Sequence, residues 1–89
     1  MVITNSNQQG KSVVNEDIFI SYSIRFNGAD EIRELSGNIM KNDVSVGFVS
    51  HDFSLGATRF MLNSDTEFAE SEKKQLFGVF IDDIGQLGA

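Results

Sequence analysis

Cysteine, proline and tryptophan are absent from this sequence, and tyrosine and histidine each occur once. Without cysteine, the chain can form neither disulfides nor thiolate metal sites. Small domains without disulfides are typical of a reducing compartment, so we expect a cytoplasmic protein. Because proline is missing, no segment contains a residue that would interrupt a strand or a helix for lack of a backbone N–H.

Long apolar runs and an excess of basic residues are missing as well. The apolar stretches are only a few residues long, and the start of the chain lacks the basic-then-apolar pattern of a signal peptide. The sequence contains seven basic and thirteen acidic side chains, which gives a formal net charge of −6. This sign repels phosphate backbones and anionic lipids, so we expect neither a nucleic-acid nor a membrane partner. A basic protein is the better match for such a surface.

The apolar content is nevertheless sufficient for a folded core. Forty per cent of the 89 residues are hydrophobic, and eight of these are phenylalanine. Chains of this size usually form one domain. Residues 1–12 are rich in asparagine, glutamine and serine, and they predict a loose N-terminal arm. We therefore expect a single α+β domain over residues 13–89.

Four stretches have the signals of β-strands. Apolar residues alternate with polar ones in residues 16–26, which indicates a half-buried strand. Further strands are predicted at 33–41, 44–51 and 57–63. The hairpin register that matches side chains best runs from Phe26↔Arg33 to Phe19↔Met40. In the next hairpin, Asn42-Asp43 predicts a tight turn, with Ile39 opposite Val46 and Phe48 over Gly37.

A helix is predicted after the last strand. Residues 64–67, Ser-Asp-Thr-Glu, match a capping box, and Glu70 precedes Lys74 at the spacing of an ion pair. Apolar residues at helical spacing follow, and we expect Phe77 and Phe80 to be buried. Because residues 70–75 are polar, a start near Ser71 is the alternative, with residues 66–69 extended. The predicted fold is a four-stranded antiparallel β-meander with one C-terminal helix packed on one face.

Candidate catalytic and metal-binding residues do not form a motif. His51 and Asp52 are neighbours in a strand or loop, and strand neighbours point to opposite faces, which argues against a catalytic dyad. Asp82 and Asp83 point about 100° apart on a helix and are interpreted as a solvated face. We therefore assign no catalytic, cofactor-binding or metal-binding residue.

Two sets of residues are candidates for protein contacts. Four apolar residues break the strand alternation and fall on the face predicted to meet solvent: Phe19, Met40, Val49 and Met61. They indicate either an interface, such as that of a homodimer, or packing beneath loops or the N-terminal arm. The second set is acidic and could bind a basic partner. Its members are Asp65, Glu67, Glu70 and Glu72.

These observations favour a small acidic, non-enzymatic protein-interaction module, either an adaptor or an inhibitor of a basic partner, with a homodimer as one form. The alternative is a small enzyme or ligand carrier that uses a cleft near His51 and Asp52.

Overall fold

The computed structural model describes residues 2–5, 9–27, 31–63 and 66–88, which form one antiparallel sheet and one helix. The six strands follow chain order, so each strand pairs with the next one. The elements are β1 Val2–Asn5, β2 Gln9–Val13, β3 Ile18–Asn27, β4 Glu31–Lys41, β5 Val44–Asp52, β6 Ala57–Leu62 and α1 Glu70–Gly88. The predicted α+β class, an antiparallel meander with a C-terminal helix, is confirmed, with two strands more than predicted.

The two additional strands come from the segment that we predicted as a loose arm. β2 pairs antiparallel with β3 along its whole length, and β1 pairs with β2. The buried positions of β2 are Gly10 and Ser12. Because neither is a large apolar residue, β2 lacks the alternation by which a half-buried strand is recognised.

The hairpin of β3 and β4 follows the predicted register over most of its length. The pairs that match are Phe19↔Met40, Ile20↔Ile39, Ser21↔Asn38, Tyr22↔Gly37, Ser23↔Ser36, Ile24↔Leu35 and Arg25↔Glu34. An irregularity between Arg25 and Phe26 then places Phe26 opposite Ile32 instead of Arg33. The chemical match of cross-strand pairs therefore identified the register up to this bulge.

The next hairpin, β4 with β5, departs from the prediction after its turn. Asn42 and Asp43 have the expected positive φ angles, 53° and 63°. A register shift between Ile39 and Met40 then places Val49, and not Phe48, opposite Gly37. Val49, which we predicted on the solvent-facing side, is therefore fully buried in the core.

The ring of Tyr22 gives a physical reason for this exchange. A Cβ atom on Gly37 would lie 2.9 Å from Cδ1 of Tyr22, so that ring already covers the glycine backbone. A second ring, from Phe48, would compete for the same volume, whereas the smaller Val49 fits beside it. Phe48 consequently lies on the other face of the sheet, where it is 39% exposed.

The helix begins at Glu70 and not at the predicted capping box of residues 64–67. Residues 66–69 lie outside the helix, as in the alternative that we left open. Ala69 precedes the helix, and its backbone N–H donates to Oε1 of Glu72 at 3.0 Å. The helix start therefore uses the glutamate half of a capping box without the hydroxyl half.

The core lies between the helix and the inner face of the sheet. Its buried apolar members are Ile18, Ile20, Tyr22, Ile24, Leu35, Ile39, Val46, Val49, Leu76 and Phe80. Phe77 was also predicted to be buried, but it is 50% exposed. It lies on the flank of the helix, where its ring contacts that of Phe60 with centroids 5.4 Å apart.

The different burial of the two helix phenylalanines yields a stability prediction. Phe80→Ala should lower the free energy of unfolding by about 3–5 kcal/mol, because it opens a cavity in the core. Phe77→Ala is the matched control and should cost about 1 kcal/mol or less, since half of that side chain already meets solvent. Chemical denaturation measures both values. Equal losses for the two variants would contradict this packing.

Candidate functional site

A buried carboxylate, that of Asp83, lies between the helix and the sheet. The residue is 2% exposed, and its Oδ2 accepts hydrogen bonds from Oγ of Ser12 and from the hydroxyl of Tyr22, each 2.7 Å long. The interpretation of Asp82 and Asp83 as a solvated face is therefore wrong for Asp83, although Asp82 is exposed. The donors come from β2 and β3, so this cluster joins the helix to two strands.

The chemistry of this cluster is structural. Burial raises the pKa of Tyr22 far above its ordinary value, and the hydrogen bond to Asp83 and its negative charge act in the same direction. The phenol therefore stays protonated and donates its hydrogen bond to the carboxylate. In the described part of the chain, every buried side-chain nitrogen or oxygen has a hydrogen-bond partner. The cluster thus ties the helix to the sheet through satisfied buried hydrogen bonds.

The sequence candidates His51 and Asp52 do not face one another. His51 lies opposite Leu35 on the core side of β5, where its Nδ1 is 2.6 Å from Oγ1 of Thr58. Asp52 points to the other face, and its carboxylate accepts hydrogen bonds from the backbone N–H groups of Ser54 and Leu55. Asp52 therefore shapes the turn between β5 and β6, and the two residues do not form a dyad.

The described residues bear on two features: a cluster of metal ligands and a membrane-spanning helix. Among them, no group of three or more histidine and acidic side chains could hold a metal ion. No helix that they form is both long and apolar enough to cross a lipid bilayer.

Acidic residues from three parts of the chain lie at one end of the sheet. The turn before β3 and the turn after β4 are adjacent, because the N–H of Asn42 donates to the C=O of Asp17 at 3.0 Å. The start of the helix reaches the same end, where Lys41 contacts Glu72 at 3.7 Å. We call this surface the acidic pole. Its acidic residues are Glu16, Asp17, Asp43, Glu67, Glu70 and Glu72.

The acidic pole contains three of the four residues that we predicted for electrostatic contact; Asp65 lies outside the described residues. Its carboxylates are only partly compensated by lysines. Glu70 pairs with Lys73 at 3.2 Å, instead of the predicted Lys74, and Glu72 pairs with Lys41. Sequence reasoning missed Glu16, Asp17 and Asp43, because only the meander brings these turns to the helix start.

An open depression lies within the acidic pole, beside the helix start. It is lined by Thr66, Glu67, Phe68, Ala69, Glu72 and Lys73. The amino group of Lys41 reaches this place from β4: it donates to the C=O of Glu67 at 3.0 Å and lies 4.9 Å from the centre of the Phe68 ring. An aromatic face, a carbonyl and a carboxylate thus already hold one amine of the chain itself.

Apolar side chains continue from this depression along β6. Phe60 and Leu62 are half-buried, and together with Phe68 they line a shallow groove between β6 and the helix. Phe77 extends the groove on its helix side, since its ring contacts that of Phe60. We call this strip the β6 groove.

The outer face of the sheet, away from the helix, carries three of the four predicted interface residues. Phe19 and Met40 are directly opposed and partly buried, and Met61 is 61% exposed. Val49 does not belong to this face, and Phe48 takes its place opposite Met61. The amine of Lys11 covers the Phe19 ring at 4.2 Å, so the apolar patch is partly screened. Self-association through this face stays a prediction.

No family model, no curated protein and no solved structure matches this chain. Its surfaces, namely the acidic pole, the β6 groove and the outer face, are therefore what points to its function.

The buried cluster yields a prediction about alkaline pH. The ordinary pKa of tyrosine is about 10, and the folded state raises it, so the unfolded chain loses the phenolic proton first. The stability that Tyr22 contributes is thus complete below pH 10 and should fall above it by about 1.4 kcal/mol per pH unit. Because Tyr22 is the only tyrosine, phenolate absorbance should appear only as the protein unfolds.

Tyr22→Phe is the control for this experiment. It should remove the part of the decrease in unfolding free energy at alkaline pH that comes from Tyr22. It should also lower stability near neutral pH by about 1–3 kcal/mol, because Asp83 loses a hydrogen-bond donor. Phenolate absorbance that rises near pH 10 while the protein remains folded would contradict the buried hydrogen bond.

Proposed function

We propose that this chain is a small acidic protein-interaction module that binds a basic partner, as an adaptor or an inhibitor, and catalyses no reaction. The observation that supports the proposal most is the composition of the depression in the acidic pole. There Glu67 and Glu72 line the same open space as the ring of Phe68. Such a site suits a side chain that carries both a positive charge and an apolar stem.

The position of Lys41 supports this kind of recognition. Its amine contacts the Phe68 ring, the carbonyl of Glu67 and the carboxylate of Glu72. Lysine and arginine side chains of a partner could use the same three kinds of contact at this surface. Arginine would gain more, because its planar group binds carboxylates in a bidentate manner and stacks on aromatic rings.

The net charge of the chain supports long-range attraction to such a partner. With a net charge of −6, the protein attracts basic surfaces before contact. The acidic pole concentrates this field at one end of the sheet. Salt should therefore weaken association mainly through the on-rate. A cytoplasmic location, which the lack of cysteine favours, belongs to the same proposal.

Charge reversal at the acidic pole should strongly reduce capture of the partner. The variant Glu16→Lys/Glu67→Lys changes two exposed residues of the pole. We expect affinity capture from native lysate to recover a basic protein with the wild type and at least about tenfold less with this variant, since both reversed charges lie in the proposed contact. Quantitative mass spectrometry measures the recovered amounts.

The matched control is Glu31→Lys/Asp82→Lys, at the start of β4 and in the second half of the helix, away from the pole. It also reverses two exposed acidic residues, so it changes the net charge by the same amount. Capture should persist with this control. If both variants lose the partner equally, net charge and not the acidic pole is responsible. A partner that stays bound at 1 M salt, where the Debye length is about 3 Å, would refute the electrostatic mechanism.

A further inference from the structure

The outer edge of β6 is an open hydrogen-bonding edge. Within the described residues, β6 pairs with β5 alone. The N–H of Asn63 donates to the C=O of Val46 at 2.8 Å, so position 63 points its backbone groups toward β5. Since these directions alternate along an antiparallel strand, Thr58, Phe60 and Leu62 direct their N–H and C=O groups outward.

This edge has only one of the features that usually protect an edge strand. Proteins blunt such edges with proline, bulges, very short strands or charged side chains. β6 pairs with β5 over all six residues, Ala57 to Leu62, without a register shift, and Arg59 is its one charged residue. The opposite edge differs, because β1 has four residues and an irregular register with β2.

Exposed apolar side chains flank the β6 edge on both faces of the sheet. On the helix side the β6 groove presents Phe60 and the half-exposed Phe77. On the outer face Met61 lies opposite Phe48, and these are 61% and 39% exposed. A strand added at this edge would therefore bury apolar surface above and below the sheet as well as pair its backbone.

We propose that the occupant of this edge is β6 of a second copy, paired antiparallel about a twofold axis that passes through Phe60. Phe60 then faces the same residue of the other copy, and Thr58 faces Leu62. Because all three point their backbone groups outward, they form the hydrogen-bonded pairs of the new ladder. The two sheets become one continuous sheet with both helices on the same side.

Charge selects this register over its nearest competitor. Only pairings centred on Arg59 or Phe60 keep most of the six-residue strand paired while preserving which face each side chain occupies. The first would place Arg59 opposite Arg59 of the other copy, and directly opposed like charges destabilise a sheet. The second places Arg59 opposite Met61, so no like charges meet within the strand pair.

The apolar side chains beside this axis are complementary to their own copies. Phe77 lies beside Phe60 and is 50% exposed. A twofold axis through Phe60 runs the two helices in opposite directions and brings Phe77 of each copy to the same side of the new sheet. A second copy therefore offers apolar surface to each half-exposed ring.

The mass of the wild-type protein in solution is the first test. Each chain weighs 9.8 kDa, so sedimentation equilibrium should show a concentration-dependent rise from about 10 to about 20 kDa, the twofold dimer being the commonest oligomer. A wild-type protein that remains at the monomer mass up to several hundred micromolar would overturn the proposal, including the case in which another protein supplies the strand.

Substitutions at Met61 test the register itself. Met61 is exposed, so both Met61→Arg and Met61→Glu should leave the monomer folded, which its melting temperature verifies. Met61→Arg places arginine opposite Arg59 on both sides of the axis and should weaken the dimer about tenfold or more. Met61→Glu places a carboxylate there and should preserve or strengthen it. Arg59→Glu combined with Met61→Arg should restore association.

The expected effects of the two Met61 substitutions on dimer affinity are opposite to those that overall charge repulsion between the chains would produce. Met61→Arg makes an acidic chain less negative and Met61→Glu makes it more negative, so repulsion between whole molecules would favour the arginine variant. If the arginine variant dimerises as well as or better than the glutamate variant, the proposed register is wrong.

Hydrogen exchange locates the interface independently of the substitutions. In the dimer the amides of Thr58, Phe60 and Leu62 should become protected as concentration rises. A dimer that leaves these amides unprotected, but is separated by Phe19→Ser/Met40→Ser, would use the outer face instead and overturn pairing through β6. The charge-reversal variants of the acidic pole should dimerise normally, so failure of this proposal is distinct from failure of the proposed function.

Discussion

The Asp83 carboxylate accepts hydrogen bonds from Ser12 on β2 and Tyr22 on β3, and in this way it joins the last element of the chain to strands near its beginning. An isolated carboxylate under a helix would be costly, because burial removes its hydration. The two hydroxyl donors offset that cost only if the helix lies where all three groups meet. Burial of the apolar core requires the helix to pack on the sheet, and the Asp83 cluster determines its position on the sheet.

The position of the helix determines which apolar surface stays exposed. At Asp83 the helix reaches toward β2 and β3, while Phe77 and Phe80 reach back to Phe60 on β6. One helix cannot cover a six-stranded sheet completely, so the inner face is less covered along β6. The half-exposed Phe77 and the β6 groove follow from this placement, and the open edge of β6 adjoins them.

The two proposed contacts use different physics at different places. The acidic pole attracts through charge and would recognise a basic partner, whereas the β6 edge pairs backbone groups and buries apolar side chains. A twofold dimer through β6 would carry two acidic poles. Two linked poles raise the effective concentration for a partner with repeated basic sites, so self-association would strengthen binding without any new contact.

The sequence by itself determined the fold class and the register of its central hairpin. Alternation marked β3, β5 and β6, and matched cross-strand pairs aligned Tyr22 with Gly37, because these signals depend on neighbours in a strand pair. The net charge follows directly from the sequence, and the acidic residues at the start of the helix were predicted. The state of residues 66–69 was left open, because the polar residues that follow them show no helical periodicity.

Tertiary structure alone decided the features that depend on volume or on distant segments. Val49 and Phe48 exchanged faces because the Tyr22 ring already fills the space over Gly37, which no periodicity reveals. β2 escaped detection because its inward residues are small and polar, and Asp83 escaped because its donors lie 61 and 71 positions away in the chain. The acidic pole likewise forms only because the fold brings separate turns together. The positions of acidic residues in a sequence do not show which segments will be neighbours in the folded chain.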